Sequence, residues 1–355
     1  MDKYRIDSHK LMFHVPRVNA WLDKKIVYPV YMEVSLSGAC NHRCTYCALD
    51  FMEYKPRFLE TKLLNRRLSE MARLGVKSIM YAGEGEPLLH KDAAGIINHT
   101  RKSGIDVALT TNGVLYNKEL ADATLKNITW IKVSINGASR KTYARIHRSK
   151  SNDLDTVLKN LSYAVRLRKQ KGYSCVLGMQ LLLLPENAGE VVKLANTAKE
   201  IGMDYLVVKP YSQHLFSKTN RYKDIKYNRY LSLYDKLAAV NTDKFNVIFR
   251  INTMRKWDKA GRDYRHCYAL PFWAYIDSSG NLWSCSAYLS DNRFKLGNIY
   301  RDTFKEIWNS EKTKKLMRWA SKTLDTSNCR VNCRMDEINR YLWELRHPSE
   351  HVNFI

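Results

Sequence analysis

Three cysteines within eight residues are the densest chemistry in this sequence. Cys40, Cys44 and Cys47 lie in Ser37-Gly38-Ala39-Cys40-Asn41-His42-Arg43-Cys44-Thr45-Tyr46-Cys47, spaced C-x3-C-x2-C, with Tyr46 just before the last of them. Thiolates this close can hold three irons of a 4Fe-4S cluster and leave the fourth iron open to a small ligand. Zinc is the rival reading, with His42 as the fourth ligand, although closed zinc sites usually draw on separated pairs and His42 sits inside the loop. A disulfide would leave one thiol over.

A second group lies near the other end. Cys267 and Cys285 flank Gly280 in the spacing C-x12-G-x4-C, and Cys329 and Cys333 follow as C-x3-C. Ala274 to Cys285 reads as a β-hairpin turning at Ser279-Gly280. A helix over Thr303 to Ser310 follows, with Asp302 as its N-cap. Four thiolates from a hairpin and a distant turn can close around one iron-sulfur cluster, or around zinc.

Both groups need a frame. Strand patterns occur at Tyr28–Ser35, Lys77–Ala82, Asp106–Thr110, Trp130–Ile135, Ser174–Leu184 and Tyr205–Val208. Helical patterns occur at Phe58–Leu74, Asp92–Ser103, Asn117–Lys126, Asp153–Lys171 and Ala188–Ile201, several of them stopped by glycine. This alternation demands parallel strands joined by helical crossovers, with ligands at the strands' carboxyl ends. The cysteine loop, Gly83-Glu84-Gly85-Glu86-Pro87 and Ser134-Ile135-Asn136 all follow strands, so they should share one rim.

The cysteine loop in this setting resembles the radical S-adenosylmethionine (SAM) superfamily, over roughly residues 28–212. The resemblance implies an α/β fold, a partial (β/α)6 TIM-like barrel. It also implies that the open iron binds SAM, which one electron cleaves to a 5'-deoxyadenosyl radical that takes hydrogen from the substrate. Tyr81-Ala82-Gly83-Glu84-Gly85-Glu86-Pro87 resembles the family's Gly-Gly-Glu-Pro motif, with Glu84 where the first glycine usually stands. By resemblance Gly85, Glu86 and Pro87 contact SAM, Ser134 and Asn136 match the ribose-contacting pair, and Tyr46 belongs to the cofactor loop. The second group, with Leu296-Gly297-Asn298-Ile299 and Ile307-Trp308, resembles the SPASM/twitch auxiliary domain. It implies one auxiliary 4Fe-4S cluster on Cys267, Cys285, Cys329 and Cys333. Cys175 reads as a small buried apolar side chain, or as a hydrogen donor or acid near the radical.

The expected divisions are a leader at 1–28, the core at 29–212, a helical bridge at 213–262 with a helix over Tyr227–Ala239, the auxiliary domain at 263–335, and a helix and tail at 336–355. The 355 residues carry 59 Lys and Arg against 35 Asp and Glu, a net +24. So basic a chain attracts an anionic substrate: DNA, RNA or a nucleotide-linked group. Sugar or small-metabolite oxidation or epimerisation and peptide maturation are the alternatives. An electron donor such as flavodoxin or ferredoxin is implied. No segment is apolar enough to span a bilayer and no signal peptide is visible, so no membrane partner and a cytoplasmic location are expected.

Overall fold

The computed structural model describes residues 3–6, 8–259 and 261–354. Six parallel strands follow the expected alternation: β1 (Tyr31–Val34), β2 (Ser78–Tyr81), β3 (Asp106–Thr111), β4 (Trp130–Ser134), β5 (Val176–Leu183) and β6 (Tyr205–Pro210). Helices Thr61–Arg73, Ala93–Lys102, Lys118–Thr124, Asp153–Lys171 and Val191–Ile201 make the crossovers. This is the partial (β/α)6 barrel.

The two faces of the sheet differ in chemistry. Met32, Val34, Ile79, Tyr81, Leu109, Ile131, Val133, Leu177 and Leu206 are wholly buried in the main apolar core. Residues of the opposite parity include Glu33, Thr110, Lys132, Gln180 and Lys209, which line a cavity. Parallel strands covered on both sides are normally apolar on both faces. Polar and charged side chains at these central positions therefore mark a ligand-facing surface, not a second core.

The sheet extends beyond six strands. β7 (Asn246–Phe249) adds in parallel to β6. It and the helix Ile251–Lys259 lie in the stretch expected to be a helical bridge. The helix expected over Tyr227–Ala239 is two short pieces, a 3-10 turn at Tyr227–Tyr230 and a helix at Leu233–Ala238. On the other edge β8 (Trp273–Ile276) pairs in parallel with β1 and continues antiparallel through β9 (Asn281–Trp283) to β10 (Lys295–Asn298). The hairpin of the second cysteine group is thus the edge of one ten-stranded sheet. The next helix is capped by Thr303, not Asp302, in a reciprocal capping box with Glu306. The chain's last helix is Asp336–Arg346. Among the described residues no helix is long and apolar enough to cross a membrane.

Candidate active site between two cysteine sets

The first cysteine loop leaves the carboxyl end of β1 and is clamped from two sides. On one side the Glu86 N–H donates to Ala39 O at 2.8 Å, and Asn112 Nδ2 donates to Asn41 Oδ1 at 2.6 Å. On the other, the helix Arg140–His147 offers its last carbonyls: Arg43 N–H donates to His147 O at 3.1 Å and Thr45 N–H to Ile146 O at 2.9 Å. Cys40 accepts from the His42 backbone N–H at 3.5 Å. Burial pushes the Cys40 thiol up to about 12, with Glu86 and the neighbouring Cys47 adding to the rise. Cys44 and Cys47 are raised chiefly by burial too, and Cys44 also by Cys47 and Cys40. Three clustered, half-buried sulfurs that repel one another as thiolates suit a cationic iron cluster.

The zinc alternative fares less well. Ligand-type atoms of His42, Cys44 and His147 do lie within 4.8 Å of one another. His42 Nε2, however, is paired to Asp153 at 3.2 Å, and His147 Nε2 accepts the Asn136 N–H at 3.1 Å. Among the described residues no fourth ligand joins this set.

The Gly-Glu-Pro loop presses directly on the cysteine loop. A Cβ at Gly85 would stand 2.1 Å from Ala39 O and 2.4 Å from Ser37 O, so only glycine fits without moving backbone. Gly85→Ala is expected to cost about 3 kcal/mol by overpacking and to lower iron loading at the first cysteine group. A denaturant melt and an iron assay check this, and an unchanged midpoint would contradict the contact. Pro87 opens a 3-10 turn whose Leu88 N–H is capped by Glu86 at 3.2 Å. The buried Glu86 carboxylate also accepts from Thr111 Oγ1 at 2.6 Å and Asn112 N–H at 2.8 Å, while burial raises its pKa.

Glu84, the departure from the usual motif, has its own partners. It accepts the Ser278 N–H at 2.6 Å from the β8–β9 turn and pairs with Arg57 at 3.0 Å. The extra carboxylate therefore ties this loop to the C-terminal hairpin, a link glycine cannot make.

Ser134 and Asn136 reach the same rim at the end of β4, but Asn136 is consumed internally. Its Oδ1 accepts the Leu182 N–H at 2.6 Å, and its Nδ2 reaches the Tyr46 hydroxyl at 2.7 Å and His147 Nε2 at 3.2 Å. Cys175 does not join the site. It precedes β5, at the strand's amino end, is 2 % exposed in the main apolar core and does not line the cavity. The reading of it as a hydrogen donor near the radical is corrected to that of a small core side chain.

Cys267, Cys285, Cys329 and Cys333 line one cavity together with Trp273 and Tyr288. Three donors aim at these sulfurs: Asn339 Nδ2 at 3.5 Å from Cys267, the Met335 N–H at 3.4 Å from Cys333, and the Tyr288 hydroxyl at 3.4 Å from Cys329. Burial, Cys333 and Cys267 push the Cys285 thiol well up. A sulfur quartet ringed by N–H and O–H donors fits a cluster of thiolates.

Between the two sets runs a cavity of about 500 Å3, lined by Cys44, Tyr46 and Cys47 and also by Cys333, Arg330 and Arg334. Its wall is basic. Glu33 is paired with Arg334, and Asp336 and Glu337 with Lys256. Among the described residues no carboxylate pairs with Lys132 or Lys209. Burial depresses Lys209 far below the usual lysine range, with Lys132, Arg250, Arg334 and Arg330 adding to the fall. Burial, Arg334 and Arg250 bring Lys132 to about 8, against the opposing pull of Glu33. The sequence reading missed both lysines as site residues. Their signal is a lysine inside a β-branched strand run, Trp130-Ile131-Lys132-Val133 and Val207-Val208-Lys209.

A parallel barrel with a three-cysteine loop on β1 and a four-sulfur pocket beside the sheet edge defines an iron-sulfur enzyme that uses SAM. The chain belongs to the radical SAM superfamily, whose family model matches residues 34–198, and a SPASM iron-sulfur cluster-binding domain matches residues 267–334. Its cofactors are accordingly a 4Fe-4S cluster with SAM and one auxiliary 4Fe-4S cluster. GTP 3',8-cyclase of Chlorobaculum tepidum is 26% identical over 201 residues, covering 54% of this chain and 57% of that protein. GTP 3',8-cyclase of Haemophilus influenzae is 34% identical over 146 residues, 40% and 42% of the two chains. The chain thus spans about half the length of these curated relatives. SuiB of Streptococcus suis bound to S-adenosylmethionine shares the fold at TM-score 0.64 and 17% identity, over 95% of this chain and 79% of that one.

Proposed function

We propose that this radical SAM enzyme abstracts hydrogen from a single nucleotide or nucleotide-linked molecule held between its two clusters. The basic cavity carries this reading: its polar inner wall lies between the two cysteine sets, and Lys132 and Lys209 face it without a paired acid among the described residues. Its volume is in the range of small-molecule sites, which favours one nucleotide over a duplex. Relatives named for GTP 3',8-cyclisation support the same substrate class.

In this reading Cys40, Cys44 and Cys47 hold the SAM cluster, and Cys267, Cys285, Cys329 and Cys333 hold the auxiliary one. The bound cluster and SAM supply one-electron cleavage of the sulfonium and a carbon radical able to take a hydrogen atom. The chain's own residues do the rest. Lys132, Lys209 and Arg330 hold the substrate's anionic end, and Met80, Leu182 and Pro210 supply apolar wall that excludes water. Selectivity follows from holding one C–H near the reacting carbon and others away. Ser134, Gly85, Glu86 and Pro87 frame the SAM side, Glu86 through the backbone it organises. A one-electron carrier such as flavodoxin or ferredoxin supplies the electron, and eight free cysteines suit the reducing cytoplasm.

The test is anaerobic turnover of reconstituted protein with SAM, a reductant, and separately each nucleoside triphosphate, a nucleotide sugar, a neutral sugar, a peptide and single-stranded DNA. Formation of 5'-deoxyadenosine and the substrate's mass are read. Nucleotide-dependent turnover is expected. Turnover with the neutral sugar or the peptide, and with no nucleotide, overturns the reading.

A further inference from the structure

Asn136, His147 and Tyr46 form a relay ending on Cys44, and the backbone fixes where its protons lie. The Leu182 N–H donates to Asn136 Oδ1 at 2.6 Å, so the carboxamide has one orientation. Its Nδ2 then donates to the Tyr46 hydroxyl oxygen at 2.7 Å and lies 3.2 Å from His147 Nε2. The Asn136 backbone N–H donates to the same ring nitrogen at 3.1 Å. A nitrogen that faces two donors is the acceptor of the ring, so the neutral imidazole carries its hydrogen on Nδ1. His147 Nδ1 lies 3.5 Å from Cys44 Sγ. The Tyr46 hydroxyl oxygen accepts from Asn136, which leaves its hydrogen to donate, and the hydroxyl lies against the Cys44 sulfur. His147 and Asn136 are 0% and 1% exposed, so water does not compete for these groups.

We infer that the His147 Nδ1–H and the Tyr46 O–H donate together to the Cys44 sulfur, and that this pair raises the reduction potential of the cluster on Cys40, Cys44 and Cys47. The inference rests on the ligation proposed above. Hydrogen bonds to a ligand sulfur withdraw electron density and favour the cluster state with more negative charge, which is the reduced one. His147 and Tyr46 are positioning residues here, and Asn136 is what orients both. This gives Asn136 a task other than touching ribose. The auxiliary quartet has separate donors in Asn339, Tyr288 and the Met335 N–H, so it serves as an internal reference.

The experiment is a redox titration of the reconstituted protein, followed by electron paramagnetic resonance without substrate. Tyr46→Phe deletes one oxygen, His147→Leu deletes the ring donor, and His147→Asn keeps an N–H near the position of Nδ1. Tyr46→Phe and His147→Leu are expected to move the first cluster's midpoint to more negative potential, with the auxiliary cluster unmoved. His147→Asn is expected to restore part of the shift. A fully loaded Tyr46→Phe protein with an unchanged midpoint overturns the inference, and it decides the matter should His147→Leu fail to assemble. Failure of the ligation itself reads differently, as a wild-type protein holding only one cluster.

Discussion

Protein in which Cys40, Cys44 and Cys47 are all replaced by alanine is expected to keep about four of about eight irons and to form no 5'-deoxyadenosine. The argument is one of separateness. The first loop is held by the Gly-Glu-Pro turn and the helix Arg140–His147, through backbone bonds that do not involve the sulfurs, such as Glu86 N–H to Ala39 O at 2.8 Å. The barrel should therefore fold without that cluster. The quartet has its own donors and is built on β8, β9 and the segment before Asp336–Arg346. Losing one set leaves the other loaded. Replacing the quartet instead should leave the other four irons and some cleavage of SAM, with substrate turnover lost. Iron and sulfide analysis together with the cluster spectra distinguish these outcomes. An unchanged iron content in the first variant would remove the basis of the site.

What the sequence made legible was local. The cysteine spacings, the glycines after strands and the alternation of strand and helix are carried by neighbours in the chain, so the barrel and both sulfur groups could be read directly. The roles of Asn136 and Glu84 could not. Asn136 is read from its position after β4 as a ribose contact, yet its partners Tyr46, His147 and Leu182 come from three separate segments. Glu84 stands out in the motif, but its partner Ser278 lies 194 residues away. β7 escaped because Asn246–Phe249 is four residues long in a basic stretch, and its strand character comes from pairing with β6. Cys175 was legible as a core residue from its strand; the structure adds that it sits on the rim away from the first cysteines.

Lys132 and Lys209 give the largest expected change in substrate affinity. Each stands on the inner face of a central strand, and each ammonium is destabilised by burial and by the same neighbouring cations. An anion bound there gains charge-assisted hydrogen bonds worth roughly 1.5–3 kcal/mol apiece. Replacing both by methionine should therefore weaken binding of a nucleoside triphosphate by roughly 10²–10⁴-fold. The stability of the ligand-free protein should move the other way, because the variant no longer buries the Lys132 ammonium, and the Lys209 amine near it, among other cations. The pH dependence has a definite sign. The charged groups acting on Lys132 are Arg334, Arg250 and Glu33, and their balance with burial leaves its pKa at about 8 in the folded chain; Lys209 lies near it and is itself depressed by it. An unfolded lysine keeps its proton to about 10.4. Between those values the unfolded state binds more protons, so this residue makes folding stability rise with pH across the window. Below about 8 its full desolvation cost is present. Anion binding behaves oppositely: it needs the ammonium, so affinity should fall as pH climbs through 8 and should depend much less on pH in Lys132→Met. Calorimetric titration of the triphosphate at several pH values checks both signs. Equal affinity in the wild type and the double methionine variant would take the substrate out of this cavity.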